Sequence, residues 1–252
     1  MPSTEITIKT RDGNADAFFF TPAGAGRWPA IIFYMDGAGI RQALLQMAER
    51  LASNGFAVLL PNLYYRHGPA ESIGAKNRRR RTRARLQSLT SESVIADTKA
   101  FLGYLDAQPV VQLPGVGAVG YCMGGALALT VAAAFPGRVD AVASIHGARL
   151  ATSAPDSPHR RATEIEGEIY VALAELDSRI LPGETEQLEA ALLLAQVNYT
   201  IEVYPGARHG FAVPGEAAFD REASEHHWTD LLALFKRNVT GSVFRLTPSR
   251  RS

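Results

Sequence analysis

A short stretch around Cys122, the only cysteine, constrains the fold of this chain more than any other feature. The apolar run Val116 to Val119 precedes it, and the helix-like run Gly125 to Phe135 follows it. Where a strand turns directly into a helix, the central residue of the turn is strained, and small residues on either side let strand and helix approach closely. Gly120 and Gly124 occupy those positions. The pattern predicts that Cys122 projects as a nucleophile from the carboxyl edge of a sheet, and a buried cysteine that acts as a small hydrophobic residue is the alternative.

Strand patterns and helix patterns alternate along the rest of the chain. Further strands are predicted at Thr4 to Lys9, Ala15 to Phe20, Ala30 to Tyr34, Phe56 to Leu60, Val139 to Ile145, Glu168 to Leu173 and Thr200 to Tyr204. Further helices are predicted at Arg41 to Ala52, Ser91 to Leu105, Gly183 to Ala195 and Glu222 to Arg237. The first two strands are joined by turn residues and form a hairpin. The order predicts the α/β class: a mostly parallel, doubly wound sheet with helices on both faces and an antiparallel N-terminal hairpin.

Composition narrows the function classes. The 252 residues are 46% hydrophobic, which is ample for one large core, and we predict a single domain over 1–252. Within it we expect an ordered core over roughly 4–239, a cap-like basic excursion at 66–90 and a polar tail at 240–252. The formal net charge of +1 gives no global attraction to nucleic acid or to an anionic membrane.

The sequence also predicts the cellular compartment of the protein. The N-terminus lacks the pattern of a secretory signal, and no apolar run is long enough to span a bilayer. A single cysteine allows no internal disulfide, which fits a reducing compartment. We therefore expect a cytoplasmic monomer or small homo-oligomer that acts on a small molecule and has no membrane or nucleic-acid partner.

A thiolate nucleophile needs a base close by, and His209 is the best placed of the six histidines. It lies in the loop Tyr204 to Phe211, directly after a predicted strand. His146 ends another predicted strand at the same edge, where it either lines the pocket or has a structural role. Asp177 comes between nucleophile and histidine in the chain order of an α/β-hydrolase triad and would orient the base, with Glu175 as the competing acid.

Acyl transfer also requires two backbone N–H groups that stabilise the developing oxyanion. Met123, directly after the cysteine, is predicted to supply the first. The loop Met35 to Gly39 is predicted to supply the second through Gly37, whereas Gly39 either shares this role or serves the turn. The sequence has no group of residues with metal-ligand spacing, and this chemistry is complete without a metal or cofactor, so neither is expected.

Two motifs of this chain resemble the dienelactone hydrolase family, a branch of the α/β-hydrolases that uses Cys, His and Asp. They are Gly120 to Gly125 and Tyr204 to Phe211; the segment Pro61 to Tyr64 resembles the family's Pro-Asp-Leu-Tyr, and the resemblance covers roughly Thr4 to Arg237. It implies a carboxymethylenebutenolidase-like enzyme that hydrolyses a small ester or lactone through a thioester. Cys122 would be the nucleophile, His209 the base and Asp177 the orienting acid.

The resemblance also implies residues that contact or activate the substrate. Asp36 stands where the family has an acidic residue that touches the resting thiol. Because Asp36 is one methylene shorter than the usual glutamate, a longer or water-bridged contact with the thiol is expected. Val213 replaces the arginine that holds the substrate carboxylate, and a neutral side chain cannot form that charge-assisted pair. A second family arginine comes from the basic run Lys76 to Arg85; Arg79 aligns best by its spacing from Cys122, and any other arginine of the run is the alternative. Phe211 is expected beside the pocket.

Alternatives remain for the basic run and for the function. The run is equally consistent with a solvated helix face. One other function class is a binding or redox-regulatory protein on a hydrolase scaffold, with Cys122 as a redox-sensitive thiol. Another is a nucleic-acid-associated protein that uses Arg78 to Arg85. The cysteine-dependent hydrolase is the leading hypothesis because the whole catalytic set is present.

Overall fold

The computed structural model describes residues 3–70 and 84–239, and its strands form one sheet in the order β1-β2-β4-β3-β5-β6-β7-β8. The strands are β1 Ser3–Thr10, β2 Gly13–Phe20, β3 Trp28–Tyr34, β4 Ala57–Pro61, β5 Val111–Tyr121, β6 Val139–Ile145, β7 Glu168–Ala174 and β8 Tyr199–Tyr204. The helices are α1 Gln42–Ser53, α2 Ser91–Asp106, α3 Met123–Ala134, α4 Glu184–Ala195 and α5 Arg221–Asn238, with 3₁₀ segments at Tyr65–His67 and Pro158–Glu164 and a helical stretch at 84–88. The predicted α/β class is confirmed.

Strand directions follow the predicted pattern. β1 pairs with β2 in antiparallel register, and β2 pairs with β4 in the same way. All other neighbours in the sheet are parallel. A parallel sheet collects the carboxyl ends of its strands at one edge, where the loops that carry chemistry begin.

The central strands are buried on both faces. Ile31, Ile32 and Phe33 follow one another in β3 and have no exposed surface, although successive side chains point to opposite faces of a sheet. A continuous apolar run was therefore the correct signal for this strand. The fully packed layer gives the loops at its carboxyl edge a rigid base.

Part of the predicted cap lies outside the described residues. Arg79 falls there, together with all of the basic run except Ala84 and Arg85, and so does the polar tail at 240–252. In the part of the chain that the structure describes, no helix combines the length and the apolar character that crossing a membrane requires.

Candidate active site

The turn between β5 and α3 is held in a strained shape. Cys122 has φ 57° and ψ −119°, a conformation that non-glycine residues seldom adopt and that costs on the order of 1–3 kcal/mol. A side chain at Gly120 would collide with the carbonyl group of Gly124, and one at Gly124 would collide with the carbonyl oxygen of Tyr34. The two glycines therefore let α3 start directly against the sheet. Cys122 lies at the first turn of that helix and lines a pocket at the edge of the sheet.

Asp177 and His209 form a short hydrogen bond across two loops. Nδ1 of His209 lies 2.6 Å from Oδ2 of Asp177, whose side chain is completely buried. The other carboxylate oxygen accepts the backbone N–H of Arg179 at 2.9 Å, so the acid is fixed on both sides. Glu175, the competing acid, is exposed and accepts the backbone N–H of Gly206 at 2.7 Å instead. The hydrogen bond to Asp177 places the proton on Nδ1 and leaves Nε2 as the basic nitrogen.

Cys122 and His209 shift each other's pKa. Burial raises the pKa of the Cys122 thiol, but the neighbouring His209 and the charge of Arg179 together lower it below the ordinary value. Burial lowers the pKa of His209, yet the bond to Asp177 and the adjacent sulfur outweigh this and raise it to about 9. Nε2 of His209 is buried and makes no hydrogen bond of standard geometry with the described residues. Both shifts favour a thiolate beside an imidazolium.

Arg179 contacts the side chain of Cys122 directly and was not predicted to do so. Its Nη1 donates to the sulfur of Cys122 over 3.3 Å from the loop that follows β7. An arginine in a polar loop gives no sequence signal of such a contact, because most loop arginines point into solvent. The contact exists because the loops after β5 and β7 end at the same edge of the sheet.

Asp36 does not make the contact that the resemblance implies. Its two carboxylate oxygens each accept a hydrogen bond from Arg41 at 2.8 Å, and Oδ1 also accepts the backbone N–H of Ala38 at 2.9 Å. Arg41 in turn reaches Glu216 at 2.7 Å. The guanidinium of Arg41 therefore binds the side chain of Asp36, which is shorter than a glutamate. Asp36 acts on Cys122 only through its negative charge, which raises the pKa of the thiol.

Tyr64 joins the two residues predicted to form the oxyanion hole. Its hydroxyl donates to the backbone carbonyl of Gly37 at 3.1 Å and lies 3.4 Å from the sulfur of Met123. Met123 is the first residue of α3, so its N–H is among those that have no acceptor within the helix. Gly37 and Met123 thus lie on either side of Tyr64. In the sequence, Tyr64 stood out only as the last residue of the segment Pro61 to Tyr64. Arg85, from the basic run, lies over the ring of Tyr64 at 5.6 Å.

His146 and Phe211 have different positions. His146 lines the pocket, and its ring centre lies 5.1 Å from that of His209. Its ring nitrogens have no hydrogen-bond partner among the described residues, and burial holds its pKa well below the ordinary value, so the ring is neutral. Phe211 is fully buried, stacks on Tyr204 and meets the edge of His146. It supports the pocket from behind and, unlike Val213, is not part of the lining.

The sequence of this chain matches a known protein family over most of its length. The model of the dienelactone hydrolase family matches residues 15–239. The chain belongs to the dienelactone hydrolase family. The resemblance noted in the sequence is thereby confirmed.

The relatives within this family match half of the chain or more. A carboxymethylenebutenolidase homologue from Synechocystis sp. is 29% identical over 241 residues, which are 94% of this chain and 97% of that protein. The carboxymethylenebutenolidase of Pseudomonas sp. (strain P51) is 36% identical over 130 residues, 51% of this chain and 54% of that protein. A dienelactone hydrolase homologue from Klebsiella pneumoniae has a similar fold, with a TM-score of 0.84, 22% identity and coverage of 94% of this chain and 98% of that one. These dienelactone hydrolase relatives identify the chain as a hydrolase.

A second cluster of ionisable groups lies outside the pocket of this dienelactone hydrolase family member. Nε2 of His226 is 3.3 Å from Glu202 and 3.4 Å from Asp230, and Glu202 also accepts hydrogen bonds from Tyr170 and Tyr204 at 3.0 Å each. The three ligand atoms of the cluster lie within 4.8 Å of one another. Sequence spacing gave no sign of it, because Glu202 belongs to β8 and the other two residues to α5. The contacts tie the last helix to the edge strand.

Proposed function

We propose that this protein hydrolyses a small carboxylic ester or lactone through a thioester on Cys122. One observation carries the proposal: the 2.6 Å hydrogen bond between Asp177 and His209 orients an imidazole in the pocket that contains the only thiol. A base held by a buried carboxylate next to a nucleophile is the arrangement that acyl transfer requires.

The acylation step follows from this geometry. The sulfur of Cys122 gives its proton to Nε2 of His209 and keeps the electron pair. The thiolate attacks the carbonyl carbon of the substrate, a C–S bond forms, and the carbonyl oxygen becomes an oxyanion. The backbone N–H groups of Met123 and Gly37 would stabilise that charge, and losing one such donor typically costs about 100-fold or more.

The intermediate then collapses and is hydrolysed. The C–O bond breaks, and the departing alkoxide takes the proton from His209; in a lactone it stays attached to the acyl group. His209, neutral again, removes a proton from water, which attacks the thioester carbonyl. The C–S bond breaks with its electron pair going to sulfur, and the carboxylic acid leaves. The proton that His209 took from water is then shared with the sulfur of Cys122, as it was before acylation.

A chromogenic acetate ester tests the proposal. We expect wild-type protein to release a burst of p-nitrophenol from p-nitrophenyl acetate and to carry one acetyl group on Cys122 in intact-mass spectra. The Cys122→Ala variant should lose the acetyl adduct and about 10³-fold or more of the turnover, because no other group takes the acyl chain.

Two histidine variants serve as controls for this test. His209→Gln should lose the burst, whereas His226→Gln, outside the pocket, should keep it. Wild-type turnover in Cys122→Ala, measured on protein with native circular dichroism, would refute the cysteine mechanism.

We infer one domain that carries the activity alone, in the cytoplasm, as a monomer or small homo-oligomer. A nucleophilic thiolate is protected from oxidation in a reducing compartment, which supports the location.

A further inference from the structure

We propose that Arg179 is a catalytic residue that holds the sulfur of Cys122 as a thiolate before any substrate binds. Arg179 contacts the reacting sulfur atom, and it lies outside the motifs by which this chain resembles its family. The inference deepens the proposed function and rests on it only in taking Cys122 as the nucleophile.

The side chain of Arg179 is in direct contact with the sulfur of Cys122. Nη1 of Arg179 lies 3.3 Å from the sulfur, within the range of a charge-assisted N–H donor to a thiolate. Within residues 3–70 and 84–239, this sulfur is the partner of the Arg179 side chain. The side chain of Arg41, in contrast, is hydrogen-bonded to Asp36 and Glu216. A guanidinium is always charged and gains most from an anion, so the thiolate is its natural partner.

The carboxylate of Asp36 is bound by Arg41, which limits its effect on the sulfur of Cys122. An acid that touched the sulfur would favour the neutral thiol through like-charge repulsion. Here Arg41 binds both carboxylate oxygens of Asp36 at 2.8 Å. The negative charge beside Cys122 is therefore compensated, and the two cationic groups that act on the sulfur, His209 and Arg179, prevail.

The backbone of Arg179 is held in place by Asp177. Its N–H donates to Oδ1 of Asp177, the carboxylate that orients His209 through Oδ2. One acid thus sets the position of both cations. Arg179 itself is exposed, so solvent and salt should weaken its effect on the sulfur.

A stabilised thiolate has a defined kinetic consequence. The proton of the thiol moves to Nε2 of His209 and the electron pair stays on sulfur, so a larger share of Cys122 is ionised at neutral pH. Each such thiolate is somewhat less nucleophilic, because nucleophilicity falls as basicity falls. Loss of Arg179 should therefore slow the reaction at neutral pH and leave the alkaline limit unchanged or faster.

Alkylation by iodoacetamide, followed against pH together with the ultraviolet absorbance of the thiolate, tests the proposal on intact protein. In Arg179→Met we expect the alkylation rate of Cys122 at pH 7 to fall about fivefold, the effect of one charge at this distance in a solvated site. At high pH the alkylation rate of the variant should reach or exceed that of wild type. Arg179→Lys should lie between the two, and added salt should shrink the difference.

A matched variant controls for general loss of positive charge. Arg160→Met removes an exposed arginine that does not line the pocket and should alkylate like wild type. An unchanged titration of Cys122 in Arg179→Met would overturn the proposal. So would normal alkylation combined with a raised KM for an anionic ester, since Arg179 would then bind substrate.

Alkylation needs no ester turnover, which separates the two hypotheses. Hydrolysis that survives in Cys122→Ala would refute the proposed function and leave the alkylation result intact. Loss of hydrolysis in that variant, together with a wild-type titration in Arg179→Met, would refute only the role of Arg179.

Discussion

Glu175 and Asp177 stand two positions apart in one loop and make different contacts. Asp177 is buried and bonded to the ring of His209, whereas Glu175 is exposed and bonded to the backbone of Gly206. The first contact orients the imidazole ring of His209, and the second joins the loops that follow β7 and β8. A buried carboxylate loses solvation, so its remaining bonds matter more than those of an exposed one.

Replacing Asp177 should affect catalysis far more than replacing Glu175. Asp177→Asn should lower kcat about 10³- to 10⁴-fold, because an amide can no longer stabilise the imidazolium or fix its tautomer. Glu175→Gln retains an oxygen acceptor for Gly206 and should change kcat by no more than about threefold. Steady-state rates on one ester, with KM measured separately, compare the two. Equal losses in both variants would show that the loop, and not the carboxylate, is what matters.

At the scale of elements, the junction of β5 and α3 depends on glycine. The side chain missing at Gly120 leaves the space that the backbone of Gly124 occupies, so the helix can begin against the sheet. Gly103 is different: it lies on the exposed face of α2, with nothing within 4 Å of the position of a side-chain carbon.

The two glycines are a matched pair for a stability measurement. Gly120→Ala should lower the free energy of unfolding by about 2 kcal/mol or more, because backbone must move to avoid the methyl group. Gly103→Ala should raise it by about 1 kcal/mol through helix propensity. Urea unfolding followed by circular dichroism gives both values. Similar values for the two variants would contradict the steric argument.

At the scale of the whole molecule, buried histidines link stability to pH. His227 is fully buried, and its Nε2 lies 3.1 Å from the hydroxyl of Tyr121. Burial lowers the pKa of His227 to about 3 and that of His146 well below its ordinary value. Between pH 6.5 and 3 the unfolded chain therefore binds a proton at His227 that the folded chain does not, so the folded state loses stability as the pH falls.

We expect this loss to be about 1.4 kcal/mol per pH unit for His227. His227→Gln, which does not titrate, should flatten the decline below pH 6.5 by about that slope. His67→Gln, at an exposed histidine, should leave the slope as it is in wild type. Urea unfolding at several pH values between 4 and 8 measures all three proteins. A decline of the same slope in His227→Gln would show that other groups cause it.

The sequence by itself determined the strands, the helices and the family of this chain, and it singled out Cys122, Asp177 and His209 for the proposed chemistry. Apolar runs, helical spacing and the glycines around Cys122 are local patterns, and local patterns decide which segments are strands or helices. The order of strands and helices then sets the parallel sheet, and with it the edge where Cys122, Asp177 and His209 meet.

Only the tertiary structure decided the contacts between loops. Phe211 was expected beside the pocket and lies behind it, because its ring packs between Tyr204 and His146. Asp36 was expected at the thiol and pairs with Arg41, while Arg179 reaches the sulfur from a distant part of the chain. Several charged side chains at one edge compete for the same partners, and distance and burial select among them. No local pattern encodes those distances, because they exist only once the strands are side by side.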